Sequence, residues 1–524
     1  MADRIPGEGS EYGWLATDVV ARQCSIRPGR LAVRELATGR DLTFAQLEDR
    51  LRRTDALLRS AVSPGARVAL LARNSLHHVG LFYGCARASA VFVPLNWRLS
   101  GPELALLFED ARPELVIYEA EFAREAEIAL AALPAARAIC IRPDGDDPFA
   151  EMVAATPPRP PSPIAPLSPS MLLYTSGTTG RPKGVVVTPK AAFFAALNFT
   201  CVGELGADHA QLCEAPMFHV VGLLAIMHAS LLAGAVLQLS DRFVPTATLQ
   251  RLTDPALGVT HFFCVPQMAK ALLEEPGSAA FDLTGLRLFT GGAPMPADLT
   301  LALIERGVRP ANGYGMSENG TVLGVPLDPE VARRKAGSAG LPAPAIEIRL
   351  VGPAGADVAD GEVGEIWLRG PSVATAYWNQ PEATATAFSN GWFRTGDAAR
   401  RDADGFYFIV DRWKDMYITG GENVYPAEVE AVITAMEAVA DAAVVGVPDS
   451  RWGECGCAFV VLREGARLDA DAVTAWCEAN LARYKRPRHV TFVDALPRTA
   501  SGKLQKDILR RRFAAQHNET ESAT

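Results

Sequence analysis

The sequence predicts a large α/β domain, built from two α/β subdomains and a β-rich one, with a small α+β domain behind it. Three observations carry that reading. Short apolar runs alternate with amphipathic stretches through about residue 340, a two-residue alternation takes over after it, and 524 residues are too many for one hydrophobic core.

Taken in order, Arg67-Val-Ala-Leu-Leu-Ala72 reads as a buried strand, residues 78–90 as a helix and Val91-Phe-Val-Pro94 as the next strand, the alternation of a mostly parallel layer. Residues 157–169 hold seven prolines, a composition that supports neither helix nor central strand and marks a seam between subdomains. Alternation then resumes with strands at Met171-Leu-Leu173, around Leu212, at residues 260–266 running into a helix, and at residues 286–290. Residues 364–370 and 406–410 alternate like half-buried strands, and Asp404-Gly405 is a hairpin-turn signal, which together give the β-rich part. Last, Pro426 opens a helix from Ala427 to about Glu437, followed by two strands, a helix and a further strand up to Val493, the elements of a compact α+β unit.

Bulk properties exclude several function classes. A net charge of −9 offers no broad basic surface for nucleic acid, so an anionic substrate must be held by loops and a few placed cations. The nine cysteines are scattered and the closest pair, Cys455 and Cys457, lacks partners at zinc spacing, which reads as reduced thiols in the cytoplasm. The N-terminus has no apolar core like that of a signal peptide. Residues 215–240 carry no charged side chain and are long enough to cross a bilayer. His219, Gly222, His228, Gly234 and Gln238 interrupt them, however, and a buried helix followed by a strand at Val236-Leu-Gln-Leu239 fits better than a membrane span.

Ligands of open α/β sheets gather at the carboxyl ends of strands, and four stretches there carry chemistry. Tyr174-Thr-Ser-Gly-Thr-Thr-Gly-Arg-Pro-Lys-Gly184 releases a buried strand into a hydroxyl- and glycine-rich loop. Its glycines bring backbone N–H groups close to an anion, Thr175, Ser176, Thr178 and Thr179 add hydroxyls, and Lys183 adds charge, the makings of a polyphosphate cradle distinct from a Walker A loop. Gly291-Gly292 permits close approach of a flat ring. In Asn312-Gly-Tyr-Gly-Met-Ser-Glu318 the ring of Tyr314 can stack on a base, and Glu318 supplies a hard oxygen suited to Mg²⁺. Gly391-Trp-Phe-Arg-Thr-Gly-Asp397 sets a carboxylate after a turn, which by itself is as well explained by turn capping.

These stretches resemble the signature motifs of the adenylate-forming superfamily, which comprises acyl- and aryl-CoA ligases, amino-acid adenylation domains and luciferases. The resemblance runs to Lys503 and covers essentially the whole chain. It implies a large ATP- and acid-binding domain over residues 1–411, a hinge at 412–416 with Lys414 as pivot in Asp411-Arg-Trp-Lys414, and a small mobile lid over 417–524. It implies that Thr175, Ser176, Gly177, Thr178, Thr179 and Lys183 hold the β- and γ-phosphates of ATP. Adenine contact falls on Gly292, Ala293 and Pro294, the nucleotide continues along Asn312, Gly313, Tyr314, Gly315 and Met316, and Asp397 and Arg412 take the ribose. Most relatives have threonine where Ser317 stands, and the retained hydroxyl preserves its phosphate contact. The resemblance likewise implies Glu318 as the Mg²⁺ ligand and Lys503, in Pro497-Arg-Thr-Ala-Ser-Gly-Lys503, as the lysine that enters the site for adenylation.

A lone histidine beside apolar residues is as a rule a satisfied core residue, but His219 after Pro216-Met-Phe resembles the gate between nucleotide and acyl pocket. Residues His219, Val220, Val221, Phe263, Phe289, Gly315 and Met316 would line that pocket. None carries a fixed charge, which favours an apolar acid, either of hydroxycinnamate or benzoate type or a medium-chain fatty acid. Gly421, Asn423, Trp452 and Arg486 are the candidates for coenzyme A. The expected reaction joins a small carboxylic acid to CoA in two steps, through an acyl-adenylate. A homodimer stays open. The rivals are an adenylating enzyme that loads a carrier-protein thiol, a luciferase-like oxygenase, and a catalytically silent nucleotide sensor.

Overall fold

The computed structural model of the chain describes residues 17–142, 145–160, 163–175, 182–293, 295–419, 422–449, 451–498 and 504–521. Contacts divide the chain into two compact units, one of Met1–Ile348, Leu368–Phe393 and Gly405–Tyr407, the other of Arg349–Trp367, Arg394–Asp404 and Phe408–Thr524.

Two sheets build the first unit. In a seven-stranded sheet the neighbours run Ala376–Tyr377, Lys183–Val187, Met171–Thr175, Val91–Pro94, Arg67–Leu71, Leu115–Glu119 and Arg137–Ile141. The last five are parallel and the first two pair antiparallel at the edge. A nine-stranded sheet runs Leu341–Pro342, Gly320–Gly324, Arg309–Met316, Arg287–Thr290, His261–Cys264, Ala210–Cys213, Val236–Leu239, Leu31–Glu35 and Arg40–Thr43, with its six central strands parallel. The proline-rich stretch does not separate these layers as expected. Leu31–Glu35, before it, pairs with Val236–Leu239, and Met171–Thr175, after it, pairs with Val91–Pro94. Parallel partners need not be neighbours in sequence, so a break in local structure is not a break between sheets.

Alternation along each strand sorts side chains to two faces. Phe262, Cys264 and Leu288 turn toward the helices Pro245–Thr253, Pro266–Glu274 and Ala297–Glu305. Phe263 and Phe289 instead enter one central core, shared with Val68, Leu70 and Phe92 of the other sheet and with the helices Phe44–Ala61, Leu76–Ala88 and Pro189–Val202. The charge-free stretch is buried as expected: a π-helix at Val221–His228 runs into a short α-helix Ala229–Ala233, Gly234 turns with φ 72°, and Val236–Leu239 is a strand. Among the described residues no helix is long and apolar enough to cross a membrane.

Val363–Arg369 and Trp392–Arg401 are neighbours in a β-rich sheet that also takes Tyr407–Arg412, and Gly405 turns the hairpin with φ 85°. A separate sheet orders Glu422–Val424, Tyr417–Thr419, Gly453–Leu462 and Val439–Asp449, with His489–Phe492 added in parallel to Gly453–Leu462. Helices Pro426–Thr434 and Ala470–Asn480 cover one face of it, and Leu509 and Phe513 of the helix Lys506–Glu521 pack on the other. Tyr417, 1% exposed, is wedged between Gly446 and Gly456, where an added Cβ would stand 2.3 and 2.4 Å from its atoms. The chain leaving residues 412–416 is therefore anchored at its first strand.

Candidate active site

The expected phosphate loop leaves strand Met171–Thr175 and returns as Lys183–Val187, with Thr175 opposite Lys183. Its tip, with Ser176, Gly177, Thr178 and Thr179, lies outside the described residues, as do Pro294, Gly421 and Lys503. The stem is clamped. Tyr174 Oη donates to Asp110 Oδ2 at 2.6 Å, and burial together with that carboxylate pushes its phenol well above the usual range, so it stays a neutral donor. Gly184 leaves room for this packing, since a Cβ there would come 3.1 Å from the Tyr174 ring and 3.2 Å from Trp378.

At the ends of the nine-stranded sheet, Gly292 takes φ 80° and Ala293 follows it in a bend. The residues from Asn312 to Ser317 form a half-exposed row. Within it, Gly315 has no room for a side chain, because a Cβ would stand 2.1 Å from the Gly320 carbonyl oxygen. Gly313 pairs with Gly324, Asn312 Nδ2 donates to the Ser338 carbonyl at 2.8 Å, and Tyr314 Oη donates to Met316 Sδ at 3.7 Å. Glu318 is 7% exposed in the turn that follows. Its Oε1 accepts from Tyr377 Oη at 2.8 Å and its backbone carbonyl from the Ala374 N–H at 2.6 Å. The same tyrosine carries the Lys183 ammonium 5.0 Å from its ring centroid. Residues from both sheets thus meet at Tyr377, which the sequence reading missed because an aromatic residue in a two-residue edge strand leaves no periodic signal.

Among the residues expected to line the acyl pocket, the His219 N–H donates to the Pro216 carbonyl at 3.1 Å and the imidazole lies 4.5 Å from the Phe218 ring. The turn folds so tightly that a Cβ on Gly222 would come 2.5 Å from the Pro216 oxygen. Val220 and Val221 are half-buried at the start of the π-helix, a form of backbone that often marks functional sites. At its far end Tyr83 Oη and His228 Nδ1 are 2.7 Å apart, and burial pushes His228 down to about 3, keeping it neutral. Asn74, a second residue that sequence reasoning missed, ties this turn down. Its Nδ2 donates to the Ala215 and Ser240 carbonyls at 2.9 and 3.2 Å, and its Oδ1 accepts from the Met217 N–H at 2.8 Å. Phe263 and Phe289 are paired in register and face Phe199 at 5.8 and 5.1 Å. Phe263 also reaches the glycine pair, 3.1 Å from where a Cβ of Gly291 would stand.

In the second unit Asp397, 5% exposed, has Arg412 Nη1 2.9 Å from its Oδ1, so the two expected ribose residues do meet. Asp411 accepts from the Arg412 N–H at 2.6 Å and from the Ala427 N–H at 2.8 Å, which ties the end of one strand to the first turn of helix Pro426–Thr434. Lys414 falls in the single turn Trp413–Asp415 and Asn423 in strand Glu422–Val424. Trp452 is 38% exposed, with Arg451 4.9 Å from its ring centroid. Arg486 is already engaged. Its Nε donates to the Leu481 carbonyl and its Nη2 to the Glu478 carbonyl, both at 3.0 Å, closing the C-terminal end of helix Ala470–Asn480.

The chain matches the family model described as AMP-binding enzyme over residues 20–378 and that of the AMP-binding enzyme C-terminal domain over residues 428–503. It is 42% identical to a feruloyl-CoA synthase of Amycolatopsis sp, over 94% of this chain and 98% of that protein. Identity to an indoleacetate–CoA ligase of Aromatoleum aromaticum is 38%, over 94% of this chain and 97% of that one. ATP-bound MatB from Rhodopseudomonas palustris shares its structure with a TM-score of 0.84 at 30% identity, over 95% of this chain and 99% of that one.

Proposed function

The chain belongs to the AMP-binding enzyme family, and on that premise we propose how its own residues carry out the work of an AMP-forming acid–CoA ligase. The enzyme takes an aromatic or fatty carboxylic acid, ATP and CoA, with Mg²⁺ as cofactor. The observation that carries the residue-level reading is the meeting of Lys183, from one sheet, and Glu318, from the other, on Tyr377.

A carboxylate is a poor acyl donor because its leaving group would be oxide. Attack of the acid on the α-phosphate of ATP replaces that with AMP, a much weaker base, and releases pyrophosphate. The CoA thiol then attacks the acyl carbon and AMP leaves. Help from the protein is positional and electrostatic. Lys183 and the hydroxyls from Thr175 to Thr179 hold the β- and γ-phosphates, Ser317 adds a further contact, and Asp397 and Arg412 bind the ribose. Gly292, Ala293, Pro294 and the row from Asn312 to Met316 receive the base. Lys503 offsets charge as it shifts between carboxylate and phosphate, and His219 gates the acyl pocket.

Among the described residues no cluster of three or more His, Cys, Asp or Glu could hold a metal by itself. One buried carboxylate, Glu318, fits a Mg²⁺ that arrives on the polyphosphate and keeps its other ligands from phosphate and water. When bound, that ion would neutralise phosphate charge.

Lys503 must leave before the thiol arrives, so residues 417–524 turn about Lys414 between the half-reactions, and Gly421, Asn423 and Trp452 meet CoA. Arg486 belongs to that surface only if it releases its helix end. An acid of hydroxycinnamate or benzoate type suits the uncharged pocket. The nine free thiols suit the cytoplasm, and a homodimer is the assembly to look for by light scattering. The test is pyrophosphate release over a panel of aromatic, short and fatty acids, followed by thioester formation with free CoA. No AMP from any acid rejects the reading, and a thioester formed only on a carrier protein favours the rival.

A further inference from the structure

We propose that Tyr377 is a positioning residue for the nucleotide: its hydroxyl sets the Glu318 carboxylate for the divalent cation, and its ring sets Lys183 for the phosphates. The inference rests on the reading of Glu318 and Lys183 given above and adds a residue to it.

The geometry is specific. Ala376–Tyr377 is a strand of two residues that pairs with Val186 and Val185 at the edge of the seven-stranded sheet. The same segment reaches the nine-stranded sheet twice, through the Ala374 N–H on the Glu318 carbonyl at 2.6 Å and through Tyr377 Oη on Glu318 Oε1 at 2.8 Å. It is a strap between two layers that carry different halves of the site. A phenol donating to a carboxylate makes a charge-assisted hydrogen bond, stronger than a neutral one and directional enough to fix the carboxylate plane. An ammonium over an aromatic face is held by the ring quadrupole yet keeps its N–H donors for another acceptor. One rigid side chain with two rotatable bonds therefore sets the spacing of an opposite pair of charges that must address one polyphosphate. A flexible linker between them would lose that spacing.

Tyr377 is 8% exposed, with Phe388 5.9 Å away, and its N–H is 3.0 Å from Thr384 Oγ1. A purely structural tyrosine, cross-linking two sheets, is the competing account. Metal dependence separates the two. Binding of Mg·ATP, of ATP in EDTA and of a non-hydrolysable acyl-AMP analogue would be measured by calorimetry for wild type, Tyr377→Phe and Tyr377→Leu, with melting temperatures alongside.

Tyr377→Phe keeps the ring and loses the hydroxyl. It should weaken Mg·ATP about tenfold or more, the cost of a hydrogen bond to a charged group, and leave metal-free ATP and the acyl-AMP analogue within about twofold. Tyr377→Leu should in addition weaken metal-free ATP, by roughly threefold to tenfold for a lost cation–π contact, and Tyr377→Phe restores that part. Equal losses with and without metal, or a Tyr377→Phe protein that binds Mg·ATP as wild type does, would overturn the proposal. A wild-type protein that forms no acyl-adenylate sinks the underlying reading instead, so the two failures are distinguishable.

Discussion

The two units hold their candidate site residues in opposite ways. In the first, Lys183, Glu318 and the row from Asn312 to Met316 sit at the ends of buried strands, and packing positions them: Gly315 has no space for a side chain, and Glu318 is fastened by Tyr377. In the second, polar side chains are tied to one another or to local backbone. Asp397 pairs with Arg412, whose side chain is 45% exposed, Asp411 holds a helix turn, and Arg486 closes a helix end. A buried strand end presents a group ready for a ligand, whereas a partly exposed ion pair or cap must give up a partner before it can act. The residues of the first region should therefore be set before nucleotide arrives, whereas Asp397 and Arg412 of the second must exchange partners to take the ribose, and the second region should also govern which half-reaction proceeds.

The sharpest way to break that contrast is Lys503→Ala. Adenylate formation should fall about 10²- to 10³-fold, the loss of one charge that stabilises a transition state, while thioesterification of supplied acyl-AMP continues. Equal loss in both half-reactions would remove the division. Glu318→Gln comes next, expected to reduce adenylation roughly a hundredfold, the effect of several kcal/mol of lost metal-assisted stabilisation, with the deficit in Mg·ATP binding. If Mg²⁺ activation curves of that variant match wild type, the strand-end carboxylate is not the metal ligand.

Asp397→Ala should raise the KM for ATP about tenfold, as a hydrogen bond to a charged group is lost. A KM that does not move would leave Asp397 as a structural partner of Arg412. Lys414→Pro should slow the second half-reaction several-fold more than the first, and unchanged turnover in single-cycle measurements would remove the pivot. The smallest effect is expected at Arg486→Ala. Loss of its carbonyl contacts should cost about 1 kcal/mol and lower Tm by a few degrees, with the KM for CoA unchanged. A tenfold rise in that KM would return Arg486 to the CoA surface.

Much of the candidate site was read from local sequence chemistry and family resemblance. Glycines beside hydroxyls, a lysine after them and a glutamate after a glycine-rich run are local chemistry, and a strand and a turn stand where apolar runs and turn signals put them, at Met171–Thr175 and Gly405. The joints between these stretches were not legible. Asn74 holds a carbonyl 141 residues away, and Tyr377 reaches a carboxylate 59 residues back.

By itself, then, the sequence determined the alternation of elements and the buried character of residues 215–240, because propensity, hydrophobic period and turn chemistry act within about ten residues of chain, while its resemblance to a known family supplied the candidates for contact with ATP. Only the tertiary structure decided that Leu31–Glu35 pairs beyond the proline-rich stretch, that the charge-free segment winds as a π-helix, and that Tyr377 lies against both Lys183 and Glu318. Such pairings depend on which distant surfaces bury each other best, and a run of residues read on its own carries no record of its partner.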